Sequence, residues 1–253
     1  ISACLVGSEM CIRDRFNTVF APSQNWQLFL KTGIGFHSND TRVVVANGGE
    51  EILPAAYSAD LGTIIKPMPR LALNATLWTL FLDQEFVYVG DAGIVEPSGK
   101  TRRMGVEAGA RYQLNDWLYV FADANYTHAR STEEADGEDN IPLAPKFTSA
   151  GGLSVDNLSG FSGSLGYRWL GDRAANEDNS IVAEGYFVTD FNLNYTIENW
   201  TLGVIVENLL DTSWNETQFA TESRLFNEPA PVEEIHFTPG TPFYLRGKIT
   251  YRF

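Results

Sequence analysis

The sequence is poor in cysteine and in positive charge. Cys4 and Cys11 are its only cysteines. The chain after Cys11 therefore contains no cysteine that could form a disulfide framework or a thiolate metal site. Lys and Arg number 18 against 32 Asp and Glu, which makes the net charge −14. A surface that follows nucleic acid phosphates needs an excess of positive charge. The composition therefore predicts a protein that does not bind nucleic acid.

Long hydrophobic runs are absent as well. The mean hydropathy is −0.15, and no run of about 18 apolar residues occurs, which excludes a membrane-spanning helix. A membrane β-barrel is not excluded, because its strands alternate apolar and polar residues and keep the mean hydropathy low. Mean hydropathy alone therefore does not separate a membrane barrel from a soluble protein.

The first residues differ from the rest of the chain. Residues 1–15 contain no initiating Met, no basic segment and no small-residue cleavage site, so they are not a secretory signal. They also lack a strand pattern, and they resemble the peptide obtained when a sequencing adapter is translated. The alternative is the end of a native strand. We predict a non-native segment at 1–15 and one domain over 16–253.

From residue 26 onwards, side chains alternate with period two, which places successive residues on opposite faces of a strand. Phe187, Phe191 and Tyr195 share one face of such a segment, while Asp190 and Asn192 share the other. Alternation of this kind predicts an all-β protein in which each strand has an apolar and a polar face. The predicted strands are 26–36, 57–66, 70–89, 106–114, 118–127, 145–155, 161–169, 187–197, 200–209 and 243–253.

Short and long connections also alternate. The short ones are 21–25, 66–70, 114–117, 156–160 and 198–200, and the long ones are 37–56, 90–100, 130–144, 172–184 and 211–241. The long segments hold 20 of the 32 acidic residues but 5 of the 18 basic ones. An acidic rim attracts cations or cationic ligands; alternatively, the acids simply keep long loops hydrated.

Strand length favours a membrane barrel over a soluble sandwich. Sandwich strands have about five or six residues, whereas a tilted strand needs roughly nine to eleven residues to cross a bilayer. A membrane barrel also has short turns on one side and aromatic girdles at both interfaces. Trp26, Trp117 and Trp200 lie at short-turn ends, and Tyr126 and Trp169 lie near long-loop ends. The sequence thus predicts an antiparallel transmembrane β-barrel.

Ten strands with two open edges would leave backbone groups unpaired in hydrocarbon, at several kcal/mol each. We therefore expect these strands to be the C-terminal part of a larger barrel. Without the rest of the barrel, these strands should form a curved, open antiparallel sheet with disordered long loops.

Several stretches after Phe16 resemble the C-terminal barrel region of TonB-dependent outer-membrane receptors. The terminal aromatic and the Asn-Leu-Leu-Asp motif at 208–211 are the most family-wide of them. The others are GIGFHSND at 33–40, FVYVGDAG and EPSGKTRRMGVE within 86–107, IPLAPKFTSAGGL at 141–153, YRWLGDR and EDNS within 167–180, VENLLDTSWNE at 206–216 and the run at 222–242.

This resemblance implies a barrel of about 22 strands filled by an N-terminal plug, of which residues 16–253 would be the last ten strands, without the plug. It implies import of a ferric siderophore, cobalamin or another metal chelate across the outer membrane of a Gram-negative bacterium. The implied partners are outer-membrane lipid, the TonB complex acting through the plug, the small chelate, and the assembly machinery, which would recognise Phe253. No cofactor is implied.

Two loop clusters and two arginines are candidate ligand contacts. Imidazole with carboxylates suits a transition metal or a chelate, although loop histidines are commonly just hydrated. Arginine suits an anionic siderophore, with a lumen salt bridge as the alternative for Arg168. The candidates are His37 with Asn39 and Asp40, Glu233 and Glu234 with His236, Arg168 on a polar strand face, and Arg224 beside Glu222.

A catalytic site needs a nucleophile, a base and an orienting group close together. The three histidines lie apart along the chain, and His128 falls in the apolar phase of its strand. The sequence therefore predicts that the protein is not an enzyme. Two alternatives stay open: a self-contained small outer-membrane pore or adhesin barrel, and an outer-membrane hydrolase, which would lose turnover on His128→Ala.

Overall fold

The structure is a computed structural model that describes residues 14–36, 53–89, 94–97 and 99–253. No helix in these ranges is long and apolar enough to cross a membrane. Seventeen strands follow one another: β1 Arg15–Ser23, β2 Trp26–Phe36, β3 Ala55–Met68, β4 Leu71–Leu82, β5 Phe86–Val89, β6 Ile94–Pro97, β7 Thr101–Gln113, β8 Leu118–Ser131, β9 Phe147–Leu158, β10 Phe161–Leu170, β11 Arg173–Ala174, β12 Val182–Ala183, β13 Tyr186–Ile197, β14 Trp200–Glu207, β15 Asn215–Ser223, β16 Val232–Pro239 and β17 Tyr244–Tyr251.

Eleven of these strands form one sheet in the order β1-β2-β3-β4-β7-β8-β9-β10-β13-β14-β17, and every pair in it is antiparallel. The remaining strands form three two-stranded hairpins, β5-β6, β11-β12 and β15-β16. The sheet is open, with β1 and β17 as its edges. The predicted all-β antiparallel fold and the open sheet are confirmed.

Two strand predictions need correction. The sheet has eleven strands rather than ten, because β1 pairs with β2 along most of its length. The predicted strand 70–89 is two strands, since β4 ends at Leu82 and β5 turns away to pair with β6. At the break, the Asp83 amide donates to the Ala55 carbonyl and the Glu85 amide to the Gly99 carbonyl, which leads the chain out of the sheet.

The sheet has an apolar face and a polar face. Leu61, Leu77 and Val106 lie directly opposite one another on the apolar face, with exposed fractions of 55%, 56% and 42%. Asn74 and Asp123 lie on the polar face, both paired with the intervening Gly109. Exposed apolar side chains in the middle of long strands confirm the predicted two-faced strands and rule out a compact core within the sheet.

The two ends of the sheet differ as predicted. The turn end carries the short connections 24–25, 69–70, 114–117, 159–160 and 198–199. The loop end carries the long connections, which follow β2, β4, β8, β10 and β14, and the three hairpins lie within the connections after β4, β10 and β14. Short and long connections therefore fall on opposite ends.

Buried residues concentrate at the loop end. Ala175, Ala183 and Ala220 form a small core, against which Leu143, Ile181 and Ile235 pack. We call these six residues the loop core. They come from three different loops, 132–146, 171–185 and 208–243, so the predicted disorder of the long loops is wrong for these three. Small side chains let the loop backbones approach closely enough to bury one another.

Candidate functional site

A concavity of about 480 Å³ opens on the polar face, near the loop end of the sheet. Its lining combines polar side chains of the middle strands with alanines and with the rings of Trp169 and Tyr186. The charged, amide and phenol side chains of the lining include Glu107, Asp123, Asn125, Arg168 and Tyr186. The combination offers charge, hydrogen-bonding groups and a ring to a ligand of small-molecule size.

Arg168 is the cation of this concavity. Its Nη2 lies 3.6 Å from Asp190 Oδ2 across the β10-β13 pair, and the two side chains are 51% and 45% exposed. That separation is longer than a hydrogen bond, and an exposed ion pair is worth little. The predicted lumen salt bridge is therefore present but weak, which leaves the guanidinium open to an anion.

One aromatic ring contacts this guanidinium, and a second ring contacts the first. Arg168 Cζ lies 5.5 Å from the centre of the Trp214 ring, within the range of a cation–π contact. Trp214 in turn contacts Tyr186, with 4.7 Å between ring centres, and its Nε1 donates to the Thr241 carbonyl at 3.1 Å. Arg168 thus contacts a residue of the final loop as well as its partner on the strand.

Asn208 joins the two ends of that final loop. Its side-chain amide donates to the carbonyls of Thr212 and Thr241 at 2.8 and 3.0 Å, and its Oδ1 accepts from the Thr212 amide at 2.9 Å. The Asn208 amide donates to Asp190 Oδ1 at 3.0 Å. The residue is 1% exposed and has a φ of 51°, which asparagine tolerates better than most residues. One carboxylate, Asp190, therefore serves both Arg168 and the loop base.

Asp211 closes the same base a second time. Its Oδ1 accepts from the Phe243 amide at 3.0 Å, and its own amide donates to the Asn208 carbonyl at 2.9 Å. The Asn-Leu-Leu-Asp motif thus clamps the start of a long loop to the start of β17. Sequence reasoning singled out this motif without its role.

Glu222, Glu233, Glu234 and His236 all lie in the hairpin β15-β16. Glu222 is directly opposite Glu233, and like charges in that arrangement repel each other. His236 Nε2 is 3.1 Å from the Ser223 hydroxyl and 3.9 Å from Glu234 Oε1. No group of three or more His, Cys, Asp or Glu side chains that could hold a metal occurs in the described part of the chain.

The other predicted contacts are not brought together. Arg224 Nε donates to the Glu228 carbonyl at 2.9 Å, and within the described ranges no ion pair joins Arg224 to Glu222. His37, Asn39 and Asp40 lie outside the described residues, so their role stays a prediction. Phe253 follows β17 and is fully exposed apart from an edge contact with Tyr251 at 5.2 Å; its recognition during assembly also stays a prediction.

The hairpin β15-β16 is held onto the neighbouring loop by a buried glutamine. Gln218 is 3% exposed; its Nε2 donates to the Glu184 carbonyl at 2.7 Å, and its Oε1 accepts from the Glu184 amide at 3.1 Å. Arg173 is buried in the same loop as Glu184, residues 171–185. This burial lowers the pKa of its guanidinium, although Tyr186 and Asp172 act in the opposite direction. The loops 171–185 and 208–243 are therefore a folded part of the site.

Residues 15–209 match the family model of TonB-dependent receptor-like β-barrels. The chain belongs to this family. It is also similar to the ferrioxamine receptor of Yersinia enterocolitica, with 26% identity over 144 residues, which are 56% of this chain and 20% of that receptor. The resemblance predicted from the motifs is confirmed.

Solved receptor structures share the fold of this barrel region. The unliganded ferric citrate transporter FecA superposes with a TM-score of 0.71 at 18% identity, over 94% of this chain and 38% of FecA. The ferric-catecholate receptor Fiu of E. coli K12 gives 0.71 at 18%, over 94% and 34%. The copper transporter OprC gives 0.70 at 18%, over 94% and 39%. The chain thus spans between a fifth and two fifths of the length of these relatives.

Sequence reasoning found Arg168 but missed the residues around it. Asp190 was noted only as part of a polar strand face. Tyr186 and Trp214 were not considered as ligand contacts, because they are far apart in the sequence and meet only when the final loop folds over β13. The available signal was a tryptophan three residues after the motif at 208–211.

Proposed function

We propose that the protein is part of an outer-membrane active-transport receptor that takes up a scarce metal chelate, such as a ferric siderophore or cobalamin, with energy from the TonB complex. The observation that carries the proposal is the two-faced sheet of a TonB-dependent receptor barrel. Its apolar face would contact the lipid of a Gram-negative outer membrane. Its polar face would line the path of the ligand.

We further propose that Arg168, Tyr186 and Trp214 contact the ligand. A half-exposed guanidinium that is 3.6 Å from its carboxylate partner can exchange that partner for an anionic group of a chelate, which would form charge-assisted hydrogen bonds. The two rings add an apolar surface beside the charge. Ferrioxamine is the first probe, since the similar Yersinia receptor is named for it.

Uptake by the complete receptor tests the proposed transport. Deletion of the gene in its native host should abolish uptake of at least one radiolabelled probe among ferrioxamine, ferric citrate and cyanocobalamin, and disruption of the TonB complex should have the same effect. If no uptake were lost on deletion, the import proposal would be wrong. A passive pore would instead pass its solute without the TonB complex.

Binding by an arginine variant tests the proposed contact. Arg168→Gln should weaken binding of an anionic chelate identified by uptake roughly tenfold, because a charge-assisted hydrogen bond is lost. Arg111→Gln is the matched control, since Arg111 is a half-exposed polar-face arginine bonded to Asp123 at 2.7 Å and nearer the turn end. Equal loss in both variants would contradict a specific role for Arg168.

A further inference from the structure

Two arginines lie on the apolar face at the loop end of the sheet. Arg102 of β7 is directly opposite Arg130 of β8, and two residues nearer the turn end the same face carries the pair Met104 and His128. A charged residue on a lipid-facing strand is costly at the bilayer midplane and tolerated near an interface. The position of these arginines along the strand therefore decides whether they lie in hydrocarbon or at the interface.

Strand length places Arg102 at the edge of the apolar band. Tyr112 lies on the same face near the turn end of β7, ten positions away. At about 3.3 Å per residue and a tilt near 45°, that distance spans roughly 23 Å across the membrane, close to the apolar band of about 25 Å. Phe81, opposite Arg102 on β4, is an exposed aromatic of the same end. Arg102 thus lies at headgroup level.

Of the two arginines, only Arg130 is paired within the part of the chain that the structure describes. Arg130 Nε is 3.1 Å from Asp139 Oδ2, and its Nη1 donates to Asn140 Oδ1 at 2.9 Å. Arg102 is exposed and makes no hydrogen bond or ion pair with the residues that the structure describes. Because Arg130 is already neutralised by Asp139, Arg102 is the arginine of this pair that is open to an anion.

We propose that Arg102 binds a phosphate group of an outer-leaflet lipid, beside Arg130 and His128. The inference rests on the outer-membrane location in the proposed function, but not on import. A guanidinium binds phosphate through two parallel hydrogen bonds. Acyl chains of the same lipid would lie on the apolar side chains of Met104 and Val106, which are 38% and 42% exposed.

The surrounding basin, about 580 Å³ in volume, also contains carboxylates. Asp139 is paired with Arg130, and Glu134 and Asp136 are exposed, so the basin holds more carboxylates than arginines and its net charge does not itself attract an anion. Among the described residues of the basin, Arg102 is the arginine without a partner. Its substitution is therefore the informative change, rather than a change of the overall charge of the basin.

Lipid binding to the full-length receptor tests the proposal. In mild detergent, the wild type should bind bisphosphorylated lipid A at least tenfold or so more tightly than the dephosphorylated lipid, and Arg102→Gln should lose this preference. Arg102→Lys should keep only part of it, because lysine retains the charge but not the two parallel hydrogen bonds. Arg70→Gln is the control, because Arg70 is an exposed arginine of the turn end paired with Asp116. Native mass spectrometry counts the bound lipid.

Unchanged binding in Arg102→Gln, or equal binding of both lipids by the wild type, would overturn the proposal. Displacement of the lipid by millimolar inorganic phosphate would also overturn it, since the site would then take a free anion. If Arg102→Gln fails to assemble, the wild type still decides: its preference for the phosphorylated lipid should fall as salt rises. Chelate uptake should be unchanged in Arg102→Gln, so failure of this site and failure of import remain distinguishable.

Discussion

The loop end and the strands of this sheet satisfy their backbone groups in different ways. Ala183 in the loop core is 0% exposed, whereas Leu77 in the middle of β4 is 56% exposed. The strands rely on ladder hydrogen bonds and bury little. The loop end relies on a small core and on side chains that bond to the backbone, such as Asn208 and Gln218. Single side chains therefore matter more at the loop end.

The same comparison indicates what the strands need from outside the chain. A monomer in water rarely exposes a contiguous apolar patch above a few hundred Å², yet the apolar face carries a leucine or valine at the centre of strand after strand. In the proposed function, the hydrocarbon of a bilayer would cover this face. The loop end carries its own core and does not depend on lipid in this way.

The largest expected effect is a charge placed on the apolar face. Leu77→Arg in the complete receptor should cost about 2–4 kcal/mol, as arginine does at the middle of a membrane strand, and should reduce the amount of assembled barrel. The control is Thr76→Arg, which places the same charge next to Glu107 on the polar face. The fraction of protein that migrates as folded barrel without heating measures both. Equal loss would mean that the two faces do not differ.

The next largest effect concerns the hydrogen bonds of Asn208, which join the two ends of the final loop. Asn208→Ala leaves the Thr212 amide and the Thr212 and Thr241 carbonyls without their partner, which should cost about 2–3 kcal/mol in local stability. Asn157→Ala is the control, because Asn157 also has a positive φ, of 50°, but is exposed at the turn end. Hydrogen exchange should rise in residues 208–243 only for Asn208→Ala. A change confined to the strands would contradict the clamp.

Overpacking the loop core should have a smaller effect. Ala183→Leu inserts a larger side chain at a fully buried position and should cost about 1–2 kcal/mol, which would undock the hairpin β15-β16 from β11-β12. Ala135→Leu, at an exposed position of another loop, should leave exchange unchanged. Protection of the Glu184 amide, which donates to Gln218, is the measurement. Full protection in both variants would show that the hairpin is held elsewhere.

The smallest effect concerns pH. Hydrogen bonds from the Ser180 amide and hydroxyl lower the pKa of Asp178. Because the pKa is lower in the folded loop than in the unfolded one, its stabilisation is present at pH above the ordinary value and is lost as pH falls through the folded pKa. Exchange at residues 176–181 should therefore rise only in strong acid. Ser180→Ala should shift this rise to higher pH; an unchanged profile would contradict the assignment.

The strands were predictable because alternation is local. Each face needs residues of one polarity at every second position, and a long strand repeats the signal several times. The prediction failed at residues 86–89, which have the strand-forming residues Phe, Val, Tyr and Val but pair with β6 rather than extending β4. It also omitted β1, whose short segment Arg15–Ser23 has little alternation beyond Phe16, Thr18 and Phe20.

The site was only partly predictable. Arg168 follows from strand polarity, because a charge on the polar face faces water or a ligand. Its surroundings do not follow, since Trp214 and Tyr186 are brought together by the fold of a loop that has no periodic signal. Likewise, His236 near two glutamates suggested a ligand set, but its closest polar neighbour is Ser223 across the hairpin.

Local residue pattern is enough to specify long antiparallel strands with one apolar and one polar face, because side-chain direction in a strand depends only on position along it. The same pattern specifies which end carries the loops. Long-range packing is what brings three of those loops to one core, joins the loop base to Arg168 through Asn208 and Asp190, and leaves Arg102 without a partner among the described residues. Those outcomes depend on contacts between residues far apart in the chain, which periodicity does not encode.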